Sequence, residues 1–72
     1  MSAYSVSLAF WQAKLLAAAR GRWRSLEELV TRTGYALRHV VWLVKRLVTA
    51  NLLEVSQAEE QPVRYRARRL GP

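Results

Sequence analysis

Followed for where its apolar residues recur, the chain divides into three helical stretches and a tail of alternating residues. From about residue 7 to 19, Leu8, Trp11, Leu15 and Ala19 fall on one arc of a helical wheel with Leu16 at its flank, which predicts a helix with one core face. Ser5 or Ser7 is placed to cap its start, and Gly21 its end. Phe10, Ala13 and Ala17 make a second apolar stripe on nearly the opposite side, relieved mainly by Lys14. Ser25-Leu26-Glu27-Glu28 reads as a capping box: the serine hydroxyl accepts from the Glu28 backbone N–H while the glutamate reaches back to the serine. A helix over about 26–33 follows, with Leu26, Leu29, Val30 and Thr33 on one face and Gly34 as its stop. A third helix over about 36–50 turns Ala36, Val40, Leu43, Val44 and Leu47 inward, and Leu37, Val41 and Val48 widen that apolar arc. Its opposite side carries Arg38, Trp42, Lys45 and Thr49, flanked by Arg46 and His39. Asn51 takes the left-handed stop that glycine usually fills.

Beyond it the period becomes two. Leu53, Val55 and Gln57 alternate with Leu52, Glu54 and Ser56; after a polar Glu59-Glu60-Gln61-Pro62 turn, Val63, Tyr65 and Ala67 alternate with Arg64, Arg66 and Arg68. The pattern predicts a hairpin over about 52–69 with a row of arginines on one face, a short extended piece at Arg22 to Arg24, and a frayed Leu70-Gly71-Pro72.

A chain of 72 residues supports one domain with one core. Its 51% hydrophobic content exceeds what that core can enclose, so Phe10, Ala13 and Ala17 are the expected interface of a homodimer. Cysteine is absent, which leaves no disulfide or thiolate metal site and suits a reducing cytoplasm. The sequence has no apolar run of about 18 residues and no signal-peptide head, so a membrane role is not expected. The five acids are assigned to a helix cap (Glu27, Glu28), a strand (Glu54) and a turn (Glu59, Glu60), which leaves no catalytic pair. Neither an enzyme nor a cofactor is expected. His39 has no cysteine or carboxylate cluster beside it, so no metal is expected there either.

What changes the picture is charge. Twelve basic residues stand against five acidic ones, a net charge of +7, and the cations gather on the third helix and the hairpin. Arg38, His39, Trp42, Lys45, Arg46, Arg64, Arg66 and Arg68 are therefore the candidate DNA-binding residues, because cationic groups on a helix can pair with phosphates or read a guanine edge in the major groove. Trp11 and Trp23 read as structural.

Helix, capped short helix, glycine turn, longer helix and hairpin make an α+β, mostly α chain that resembles the winged helix-turn-helix family of small standalone transcription regulators. The likeness runs from about Leu15 to Arg69 and rests most on Ser25-Leu26-Glu27-Glu28-Leu29-Val30, Thr33-Gly34-Tyr35, Val44-Lys45-Arg46-Leu47 and Ala50-Asn51-Leu52-Leu53-Glu54-Val55. The resemblance implies a protein of the nucleoid that binds double-stranded DNA, with its third helix in the major groove and a wing on the backbone or minor groove. Leu37, Val41 and Trp42 depart from the small polar residues that the family usually carries on the leading part of the recognition helix. Winged helices also serve as protein-binding modules, so an adaptor or assembly role through Val41, Trp42 and Val48 is the alternative expectation.

Overall fold

The computed structural model describes residues 3–56 and 62–69. Three helices, α1 (Ala3–Ala18), α2 (Leu26–Thr33) and α3 (Leu37–Thr49), precede two antiparallel strands, β1 (Leu53–Val55) and β2 (Tyr65–Ala67). This is the layout of a winged helix, mostly helical with a small sheet. Among the described residues no helix is long and apolar enough to cross a membrane.

Helix α1 starts four residues before its predicted place, so Ser5 and Ser7 lie within the helix and not at its cap. An interior serine costs only a few tenths of a kcal/mol against a good helix former, while each added residue gains a backbone hydrogen bond. Helix α2 begins as expected. Ser25 Oγ accepts from the Glu28 N–H at 3.1 Å, and the Ser25 N–H donates to Glu28 Oε1 at 3.3 Å. Gly34 closes the helix at φ +77, a left-handed conformation costly for side-chain-bearing residues, and its N–H donates to the Val30 carbonyl. The buried Thr33 hydroxyl joins the turn together, donating to the Leu29 carbonyl at 2.7 Å and accepting from the Tyr35 N–H at 3.2 Å.

Ala36 corrects the sequence reading. It is exposed and stands as the N-cap of α3, before the buried stripe begins. At the other end Asn51 has φ +63, and Leu52 N–H and Asn51 N–H donate to the carbonyls of Leu47 and Val48. That paired closure is a Schellman motif built on asparagine in place of glycine.

The core is assembled from every element but β2: Leu15 and Ala19 after α1 and its turn, Leu29 from α2, Val40, Leu43, Val44 and Leu47 from α3, and Leu53 from β1. Each is essentially removed from water, and Leu8, Trp11, Tyr35 and Tyr65 pack around them. In β1 and β2, Leu53 pairs with Ala67, Glu54 with Arg66 and Val55 with Tyr65. Hydrogen bonding continues past both strand ends, from Arg68 N–H to the Leu52 carbonyl and from Ser56 N–H to the Arg64 carbonyl. The regular strand is nevertheless shorter than the predicted Val63 to Arg68, because Ser56 closes the ladder with its side chain, accepting the Arg64 N–H on Oγ at 2.9 Å. A third strand-like contact flanks β2, where Arg24 and Tyr65 exchange two backbone hydrogen bonds of 2.7 Å, as the expected extended piece at Arg22 to Arg24 requires. The turn expected at Glu59-Glu60-Gln61 and the end at Leu70-Gly71-Pro72 lie outside the described residues.

The Glu28 carboxyl is held below its ordinary value of 4.5, first by the Ser25 backbone N–H and then by the Arg24 guanidinium. A depressed carboxyl stabilises the fold above its unfolded pKa, and the gain is lost as pH falls through the folded value. Glu28→Gln should therefore lower the melting temperature near neutral pH, with the gap to the parent protein closing below about pH 4. A gap that stays constant across thermal melts at graded pH would refute the ionic role of the cap.

Candidate nucleic-acid interface

The outer side of α3 follows from its inner side. With Val40, Leu43, Val44 and Leu47 fixed in the core, a period of 3.6 residues turns Arg38, Trp42, Lys45, Arg46 and Thr49 outward, and all five are exposed. Arg46 stands one turn beyond Trp42, and its guanidinium lies 5.0 Å from the centre of the indole ring. Trp42 is 37% exposed, so part of the ring is open to solvent while a cation lies over it. The predicted stripe therefore forms one continuous surface of three cations and an aromatic ring.

His39 is placed differently from the surface position expected of it. It is half-buried on the flank toward α1, edge-on to Trp11 with ring centres 4.7 Å apart and tilted over Tyr35 at 4.8 Å. Trp42 is its next neighbour at 6.3 Å. His39 thus joins α1 to the stripe as part of an aromatic cluster. The cluster draws in Lys14, whose ammonium lies 5.2 Å from the Tyr35 ring centre. Burial pushes the Tyr35 phenol above its ordinary pKa, and the hydroxyl finds no hydrogen-bond partner among the described residues. Lys14, expected only to relieve the apolar stripe of α1, and Tyr35 were not among the candidate site residues. The signal was available in a cation one turn from Phe10 and an aromatic residue directly after the glycine stop, but their meeting depends on how α1 crosses α3.

The arginine row of the hairpin is divided. Arg64 and Arg68 are exposed. Arg66, though its side chain is 40% exposed, is engaged by the protein's own groups: its Nη2 and Nε lie 3.0 and 3.1 Å from Glu54 Oε2, and its guanidinium is 4.4 Å from the centre of the Trp23 ring. Glu54 is the residue directly opposite on β1, and the Arg24–Tyr65 bridge carries the neighbouring Trp23 to the other flank of β2, so Arg66 is clamped from both sides. Arg66 thus keeps the outer face expected of it, opposite the core-packed Tyr65 and Ala67, but the three arginines are not equivalent, since Arg66 already has a carboxylate partner.

The apolar residues proposed for self-association are exposed on α1, Phe10 to 64%, with Ala13 and Ala17 beside it on the wheel. Val41 and Val48 are half-buried, and Val48 packs on the core. Comparison with protein-family models, curated proteins and solved structures finds no match to this chain.

Because Arg66 bridges Glu54 and Trp23, Arg66→Gln should destabilise the fold by about 1 kcal/mol, the sum of a partly exposed ion pair and a cation–π contact. Arg64→Gln should leave stability unchanged. Urea unfolding at constant slope reads the difference directly, and equal midpoints for the two variants would overturn the clamp.

Proposed function

We propose that this protein binds double-stranded DNA sequence-specifically as a transcription regulator, with α3 in the major groove and Arg64 and Arg68 of the wing on the backbone. The observation that carries the reading is the exposed surface of Arg38, Trp42, Lys45 and Arg46 on the longest helix of the helix-turn-helix, in a chain of net charge +7. The major groove admits a helix. Arginine there can donate two hydrogen bonds to guanine, lysine can pair with phosphate, and an indole can cover a thymine methyl or a sugar. Such a protein works on the nucleoid. The adaptor reading through Val41, Trp42 and Val48 has less support, since two of those three side chains are half-buried and the third is stacked against Arg46.

Selection of bound duplexes from a random pool, followed by salt titration of the winner, tests the reading. Arg38→Ala should cost about 1–3 kcal/mol and relax preference at one base pair, whereas Lys45→Ala should weaken all duplexes alike. Replacing Arg64 and Arg68 together by Gln should flatten the slope of log affinity against log salt by about two units and leave the preferred sequence intact. Unchanged duplex affinity in the Arg38→Ala, Lys45→Ala double variant would remove α3 from the interface.

We further propose that two copies pair through Phe10, Ala13 and Ala17 of α1, because an exposed phenyl ring beside two alanines offers a flat apolar surface to its own symmetry mate. Sedimentation should show a dimer that Phe10→Glu dissociates, and the selected site should hold two half-sites about 34 Å apart. A protein that stays monomeric on its selected duplex would overturn the pairing.

A further inference from the structure

A second basic surface lies away from α3. Between the C-terminal end of α1 and the root of the hairpin runs a groove of about 820 Å³, to which no residue of α3 contributes. Leu16, Leu52 and Ala67 give it an apolar lining, all three half-buried and packed from beneath against the core. Arg20, Arg68 and Arg69 line it as well, and all three are exposed. The two ion pairs among the described residues are Arg24 with Glu28 and Arg66 with Glu54, so none of these three arginines has a carboxylate partner there. Glu54, the one acid in the groove, is already neutralised by Arg66.

We propose that this groove docks an acidic peptide segment of a protein partner, with an apolar side chain seated over Leu16 and Leu52 and flanking carboxylates on Arg20 and Arg69, which leaves Arg68 to the DNA backbone. Charge complementarity selects an anion, and the shape and chemistry of the lining select a peptide. The outer surface of duplex DNA is a convex ridge of phosphates; it would meet the arginines and leave the leucine floor without a partner. A short extended chain supplies both parts at once, because carboxylate and guanidinium match in a two-bond fork and an apolar side chain fills a concave floor. The site is separate from α3, so a partner held there leaves the recognition helix open, and a DNA-bound regulator can recruit a second protein through it.

The test uses the full chain and a fluorescein-labelled peptide in which Leu-Phe is flanked on both sides by acidic residues. Fluorescence anisotropy should show saturable binding with a dissociation constant of about 10–100 µM. Replacing Leu-Phe by Ser-Ser in the probe should weaken it by about tenfold, since the floor is then left unfilled. The Arg20→Gln, Arg69→Gln double variant, altered only at exposed side chains, should bind the original probe about tenfold more weakly while keeping the parent circular dichroism and duplex affinity. No saturation by about 1 mM peptide overturns the proposal. So does equal binding of the Ser-Ser probe, which would mark diffuse attraction between opposite charges. Loss of duplex affinity in the double variant, with peptide binding unchanged, would assign the groove to phosphate instead. The peptide measurements contain no DNA, so failure of the regulator reading appears only in the duplex arm.

Discussion

The backbone of Arg24 exchanges two 2.7 Å hydrogen bonds with Tyr65, and its side chain donates to the Ala18 carbonyl and pairs with Glu28. One residue thereby ties the end of α1, the first turn of α2 and the start of β2. The Arg24 side chain is 12% exposed, which places its charge where an unpaired cation would be costly. The neighbouring positions inherit their roles from this junction. With Arg24 facing the helices, Trp23 is carried to the other side of the sheet, where Arg66 stacks on it and reaches across to Glu54. The wing is therefore held on two faces, by the core through Leu53 and by the Trp23–Arg66–Glu54 clamp outside.

That division explains why the protein's charge is not one uniform coat. Arg24 and Arg66 serve cohesion, each against a carboxylate, while Arg38, Lys45 and Arg46 stand on α3 and Arg20, Arg68 and Arg69 on the groove. Cations that share a surface repel one another, and the fold tolerates this where solvent screens them. Beside α3 the aromatic cluster of Trp11, Tyr35, His39 and Trp42 offers a further accommodation, since ring faces attract the Lys14 and Arg46 charges lying over them. The cluster also braces the leading turns of α3 against α1, which gives the proposed recognition surface a rigid support.

The order and type of the elements were written in the sequence, because they depend on local rules. The Ser25–Glu28 box, the Gly34 stop, the Asn51 reversal and the 3.6-residue stripe from Val40 to Leu47 act over one or two turns of chain, and each is present where its residues stand. The outward stripe Arg38, Trp42, Lys45 and Arg46 follows from the same period. Tertiary structure decided what those side chains meet. Alternation along β2 treated Arg64, Arg66 and Arg68 as equals, yet among the described residues only Arg66 faces a glutamate on one neighbour and a tryptophan on the other. Likewise His39 sits at the edge of the polar face on a wheel, and it is the crossing of α1 over α3 that brings Trp11 against it. The groove between Leu16 and Leu52 joins segments more than thirty positions apart, so no local pattern announces it. Spacing along a chain sets which way a side chain points; what stands opposite depends on the packing of distant elements, which spacing does not encode.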